Sequence, residues 1–190
     1  MTHILLIIGI LFSLVGSVFF ARQQQAPIMV KSAVQTVTPT PTVAFTPSRL
    51  VIPKISLDTG IVVAGLDAEG LMEVPENGID VSWYKYGARP GDKGSAVIAG
   101  HFDTKKGAAV FNHLNLLEPG DEIEVLNDLG KLVKYVVFDK RLYPVSEFPV
   151  AKIYNNADNY YLNLITCAGV FDPLTSHYSH RTVIFSKLVN

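Results

Sequence analysis

"DEIEVLNDLGKLVKYVVF", Asp121 to Phe138, is the stretch that decides how this chain folds. In "DEIEVLN" charged and apolar side chains alternate, the period of a strand with one face on a core and one in water. "NDLGK" then supplies turn chemistry, and "KLVKYVVF" returns as a second β-rich run. The reading is a hairpin.

The same signs recur on either side. "RLVIPKISL" (Arg49–Leu57), "GIVVAGL" (Gly60–Leu66), "LMEVP" (Leu71–Pro75) and "GSAVIAGH" (Gly94–His101) precede the hairpin. Its second arm continues to Pro144, and "YYLNLITC" (Tyr160–Cys167) and "RTVIFSKL" (Arg181–Leu188) follow. Each is rich in Val, Ile, Leu, Tyr or Phe, and "DAEG", "ARPGDKG" and "EPGDE" punctuate them. Only "AAVFNHLNLL", stopped by Pro119, and "VSEFPVAKIYNN", limited by Pro149, read as short helices. Eight short strands with few helices predict an all-β barrel or sandwich. There is no internal repeat, Gly-rich phosphate loop, CxxC pair or HExxH helix.

The front of the chain is different. Ile4 to Phe20 carries no charge over 17 residues, about 25 Å of helix against a hydrocarbon core of roughly 30 Å. Two readings fit it, a cleaved signal peptide and an uncleaved anchor. The run is long for a signal core and "SVFFARQQQ" offers no small-x-small cleavage site, which favours an anchor over residues 1–22. Arg22 and Lys31 follow the segment, so the positive-inside rule does not by itself favour an external C-terminal domain. Residues 23–48, with Pro39, Pro41 and Pro47 among threonines, have the composition of an extended tether.

The folded unit is expected over residues 49–190, a length suited to one core. It holds all 17 acidic residues and all but two of the 16 basic ones, a formal charge of −3. There is no basic stripe, so nucleic acid is not an expected partner.

Cys167 is the only cysteine. It is either a small buried hydrophobe or a nucleophile, and a nucleophilic thiol needs a base or cation beside it. His101 ends "GSAVIAGH" after Gly100, as Cys167 ends "LNLIT" before Ala168 and Gly169. Two reactive side chains at the ends of two apolar strands, each next to small residues, are well placed for catalysis. Arg181, opening "RTVIFSKL", is a permanent cation suited to a substrate carbonyl or developing oxyanion. His3 precedes the apolar segment, and His113, His177 and His180 read as surface residues. Each candidate alone has a bland alternative: an inert thiol, a polar strand terminus, a solvated guanidinium.

Together "VIAGHFDT", "LNLITCAGVFD" and "SHRTVIF" resemble the three characteristic blocks of the sortases, the cysteine transpeptidases of bacterial envelopes. The cysteine block is similar to the family pattern T-[LI]-x-T-C, with Asn163 where Thr is common. The "PGDEIEV" and "LMEVPENGIDVSWYKYGARPGDKG" segments also look like the family. The likeness spans nearly all of Arg49 to Val189 and is greatest to class F, with classes D and E as neighbours.

The resemblance implies a closed eight-stranded sortase-like β-barrel with one or two short helices, behind an N-terminal transmembrane helix and Pro/Thr-rich linker. It implies Cys167 as nucleophile, His101 as acid/base partner and Arg181 as oxyanion or substrate clamp. Asp103 would orient the loop or the imidazole, and Thr166 with nearby main-chain N–H groups would add to the oxyanion site. No metal or other cofactor is expected. The implied substrates are secreted proteins with an LPxTG-type motif, and the acceptor an amine of a cell-wall precursor or a pilin. The implied location is the cell membrane, single-pass, with the catalytic domain extracellular. Two other functions stay open on the residues alone: a hydrolytic cysteine peptidase using the same site, and a non-catalytic domain that binds envelope proteins. The L,D-transpeptidases are a weaker rival, because they gather histidine, glycine and cysteine locally and this chain has "LITCAG". The segment between Cys167 and Arg181 is expected as a loop, with Phe171, Pro173 and Tyr178 touching peptide or packing on the barrel.

Overall fold

The computed structural model describes residues 45–189. The expected anchor (1–22) and most of the expected linker (23–48) lie outside them. Ten strands form: β1 (Pro47–Ile52), β2 (Leu57–Ala64), β3 (Val81–Tyr84), β4 (Gly94–Ala99), β5 (Asp103–Thr104), β6 (Gly107–Ala108), β7 (Glu122–Asn127), β8 (Leu132–Pro144), β9 (Tyr160–Asp172) and β10 (His177–Leu188). Eight of them close a barrel in the order β1-β2-β3-β4-β9-β10-β8-β7, while β5 and β6 make a separate small hairpin. The barrel is all-β and eight-stranded, as expected.

The β7–β8 hairpin matches its reading. Leu126 pairs with Leu132, and the Asn127 side-chain oxygen accepts hydrogen bonds from the main-chain N–H groups of Leu129 (3.1 Å) and Lys131 (2.8 Å). An Asn that ties up its own turn in this way is why "NDLGK" reverses the chain. Ile123, Val125, Val133, Tyr135 and Val137 face the core, and the residues between them face out.

One of the eight strands is not the one expected. "LMEVP" contributes only an isolated bridge, Met72 to Leu66. The missing stave is β3, "VSWY", parallel to β2 and antiparallel to β4. It is four residues long, and Val81, Ser82 and Trp83 are all buried. Four residues are too few to show a period, and Ser82 interrupts the apolar run that marks a strand covered on both faces.

The same double burial governs β4, β9 and β10. β4 and β9 run parallel (Ala99 beside Ile165), and β9 and β10 antiparallel (Ile165 beside Val183). Ile98, Leu164 and Ile184 point into the barrel. Their chain neighbours Val97, Ala99, Ile165, Val183 and Phe185 form a second apolar layer outside it with Ile153, against which Met72, Val74, Tyr84, Phe148 and Tyr154 pack. Ile153 belongs to the short helix α1 (Val150–Tyr154), for which Pro149 stands at the N-cap. Pro149 therefore opens this helix rather than ending one, since its missing N–H is no loss there. Buried Asn163 secures α1 by donating to the Ile153 carbonyl (2.6 Å).

At the front, the folded unit begins before Arg49. β1 starts at Pro47 and Phe45 is buried in the main core. The last residues read as linker are part of the barrel.

Candidate active site

Side chains on a strand alternate between faces, so Cys167 of β9 lies on the same outer face as Ile165, and Arg181 of β10 on the same face as Val183. Cys167 and Arg181 are direct cross-strand partners. On the other side of β9, β4 runs parallel with Ala99 beside Ile165, and the Gly100 N–H donates to the Ile165 carbonyl (3.1 Å). His101 follows two residues beyond Ala99, just after β4 ends. Cys167 and Arg181 thus lie side by side on one face of β9 and β10, and the segment that carries His101 leaves β4 on the other side of β9. The pair continues the apolar layer Ile165–Val183 past the edge of its cover, where Cys167 becomes half-buried.

Gly100 makes the turn into His101 possible. A Cβ there would stand 2.8 Å from Phe111, 2.9 Å from Val110 and 3.0 Å from Val81. With no Cβ, the main chain runs against the core, and the His101 carbonyl accepts from the Phe111 N–H (2.9 Å). Gly169 does a different job. Its φ of +83° is a left-handed conformation, and a Cβ would fall 2.5 Å from Ser179 Oγ. β9 carries one more residue than β10 at this point, since Ala168 is beside His180 but Phe171 is beside Tyr178. Such a bulge bends the hairpin and raises its twist. The expected loop between Cys167 and Arg181 is in fact this bent extension of β9 and β10, closed by a turn at residues 173–176.

The extension reaches the segment that follows His101. The Tyr178 hydroxyl donates to the Asp103 carboxylate, and the Tyr178 ring packs on Phe102 (5.8 Å between centroids) and Phe171 (5.2 Å). Asp103 is thus drawn to the site, held by a residue 75 positions away. Neither member of the pair carries a sequence signal for the other. Arg181 is anchored through Nη1, which donates to the carbonyls of Tyr178 (3.1 Å) and His180 (2.9 Å).

Burial pushes the Cys167 thiol above its ordinary pKa. The Arg181 guanidinium pulls it down, and the Asp103 carboxylate adds to the upward push. The net direction is up, so the thiol form predominates at neutral pH. The Tyr178 phenol is pushed up to about 12, first by its hydrogen bond to Asp103.

Thr166 departs from its expected role. It is buried on the inner face, opposite Cys167, and its hydroxyl donates to the Gly100 carbonyl (2.8 Å). It ties β9 to the turn before His101, and its side chain is turned away from the sulfur. On that inner face a cavity of about 480 Å3 opens at the barrel end, lined among others by Phe102, Phe111, Leu142, Thr166 and Thr182. Ala168 and Gly169, which follow Cys167, also line it. His113 and His177 are exposed, as expected, while His180 is half-buried with Nδ1 2.7 Å from Ser179 Oγ.

Residues 50–189 match the family model of the sortase domain. Among solved structures, sortase C1 of GBS Pilus Island 1 superposes with a TM-score of 0.57 at 20% identity, over 75% of this chain and 65% of that one. Sortase C-1 from Actinomyces oris gives 0.58 at 25% identity, over 75% and 73%. A Clostridium perfringens sortase D5 transpeptidase gives 0.57 at 23% identity, over 76% and 79%. This chain therefore spans about two thirds of the first of these proteins. No curated protein matches it. With the family model covering nearly all of the barrel and solved sortases sharing its fold, the chain belongs to the sortase family, a family of cysteine transpeptidases.

Proposed function

We propose that the protein is a membrane-anchored transpeptidase that cleaves an LPxTG-type sorting motif between Thr and Gly and passes the acyl group to an amine. The observation that supports the reading is the pairing of Cys167 with Arg181 on adjacent strands, with β4, which ends two residues before His101, on the other side of β9. The Cys167 sulfur, as thiolate, adds to the threonine carbonyl. Arg181, already partnered by main-chain carbonyls, presents its remaining N–H groups to the oxyanion that develops. As the C–N bond breaks, His101 gives its proton to the departing glycine amine, leaving a thioester on Cys167. An incoming amine then attacks the thioester carbonyl, loses a proton to His101 and releases the thiol.

The raised thiol pKa makes the proton partner necessary. A thiol that is mostly protonated at neutral pH depends on a nearby base for the small reactive fraction. The apolar segment Ile4–Phe20 and the Pro/Thr stretch after it support a membrane location, and the envelope chemistry of the family is the ground for an extracellular barrel. A tether of this kind raises the effective concentration of two membrane-bound partners. The acceptor is an amine of a cell-wall precursor or a pilin. Within the family, the blocks around His101, Cys167 and Arg181 resemble class F most.

The experiment is incubation of the chain with an LPxTG-type peptide, with and without a glycine amine, read by mass spectrometry. Ligated product together with a thioester on Cys167 supports transfer. Hydrolysis alone would make the protein a peptidase. A Cys167→Ala chain that performs as well as the unsubstituted one would end the catalytic reading.

A further inference from the structure

The site has two arms on either side of Cys167. One is the His101–Asp103 segment leaving β4, and the other is Arg181 with the bent β9–β10 extension. They belong to distant parts of the chain, and their relative placement sets whether imidazole and guanidinium can serve one carbonyl. A single residue contacts both. Its phenol donates to Asp103, its ring packs on Phe102, and its main-chain carbonyl accepts from Arg181 Nη1 (3.1 Å). We propose that Tyr178 is a positioning residue of this site, a latch that holds the His101 arm and the Arg181 arm in fixed register over Cys167.

The inference rests on the transpeptidase reading and adds an electrostatic consequence to it. The charged and titratable groups that act on the thiol are Arg181 and Tyr178 itself on β10, and Asp103 on β5. Asp103 is the one that opposes the thiolate. By donating to that carboxylate, the phenol both moors it and disperses its charge. The phenol, with its pKa near 12, remains a donor at neutral pH and well into the alkaline range. Removing the hydroxyl while keeping the ring releases a bare carboxylate beside the sulfur. Removing the carboxylate's charge has the opposite effect on the thiol. A contact that only stabilised the fold would move neither titration.

The test compares the full chain with Tyr178→Phe, Asp103→Asn and the double variant. It follows the pH dependence of Cys167 alkylation by iodoacetamide, together with kcat and KM for an LPxTG-type peptide. Tyr178→Phe is expected to shift the alkylation profile to higher pH and to lower kcat/KM about tenfold, mainly in kcat, the size associated with losing one hydrogen bond to a charged group. Asp103→Asn is expected to shift the profile to lower pH, and the double variant to follow Asp103→Asn. Profiles that coincide with the unsubstituted chain in both single variants would overturn the latch, as would simple additivity in the double variant. Alkylation is read without turnover, so it tests the latch separately from the transpeptidase reading, which stands or falls on the Cys167 thioester.

Discussion

At the scale of single residues, the site is a balance of one cation and one anion around a half-buried sulfur. Arg181 is the group that lowers the thiol's pKa, so Arg181→Ala should slow Cys167 alkylation at neutral pH and shift its profile upward, measured by stopped-time labelling and mass spectrometry. Arg181→Lys should preserve part of that charge effect yet still lose about 100-fold in kcat, because an ammonium cannot bond two main-chain carbonyls and still offer a planar fork to an oxyanion. Gly100 makes a separate, purely steric demand. Gly100→Ala places a methyl 2.8 Å from Phe111 in a packed core. The expected cost is about 1–3 kcal/mol, read as a lowered Tm, with loss of activity as the His101 turn is displaced.

At the scale of elements, the outer apolar layer is what holds the strands that carry Cys167 and Arg181 in place. β4, β9 and β10 are packed on both faces, and α1 supplies much of the outer cover through Ile153. Asn163 is the polar tie between them, buried and donating to the last turn of α1. Asn163→Ala should destabilise the fold by about 1–3 kcal/mol, the cost of leaving a buried carbonyl without its donor, and denaturant unfolding would measure it. The effect on the chemistry should be smaller than on stability, since Asn163 lies four residues before Cys167 along β9 and its side chain bonds the Ile153 carbonyl. The bent β9–β10 extension is the other element that matters. Its bulge at Gly169 brings Tyr178 to Asp103, so a part of the chain expected to be a loop acts as a structural arm of the site.

At the scale of the whole molecule, the barrel closes only when β1 pairs with β7, 70 residues and more along the chain, and Phe45, just before β1, is buried in the main core. A chain beginning at residue 49 would lose Phe45 and the first residues of β1. It should unfold at lower temperature than one beginning at residue 45, by the equivalent of about 1.5–3 kcal/mol for one buried aromatic side chain. Thermal unfolding of the two truncated chains, followed by circular dichroism, checks this. The expectation that the fold starts at Arg49 came from composition, which marks where Pro and Thr stop being frequent. Burial, not composition, decides where a core begins.

The sequence by itself determined the class of fold and the identities of the candidates. Alternation in "DEIEVLN", turn chemistry in "NDLGK" and apolar runs ending in His101 and Cys167 are local facts, visible wherever strand period or residue chemistry is expressed over a few positions. Three things were decided only in tertiary structure. β3 replaced "LMEVP" because four residues with a serine among them show neither a period nor an apolar run. Thr166 turned inward because one step along a strand changes the face, so the neighbour of a reactive residue is the side chain that cannot join it. The Tyr178–Asp103 contact exists because a bulge and a left-handed glycine bend one hairpin onto a loop from another part of the chain. Contacts between distant segments depend on where the closed barrel sets their backbones, and no local pattern records that.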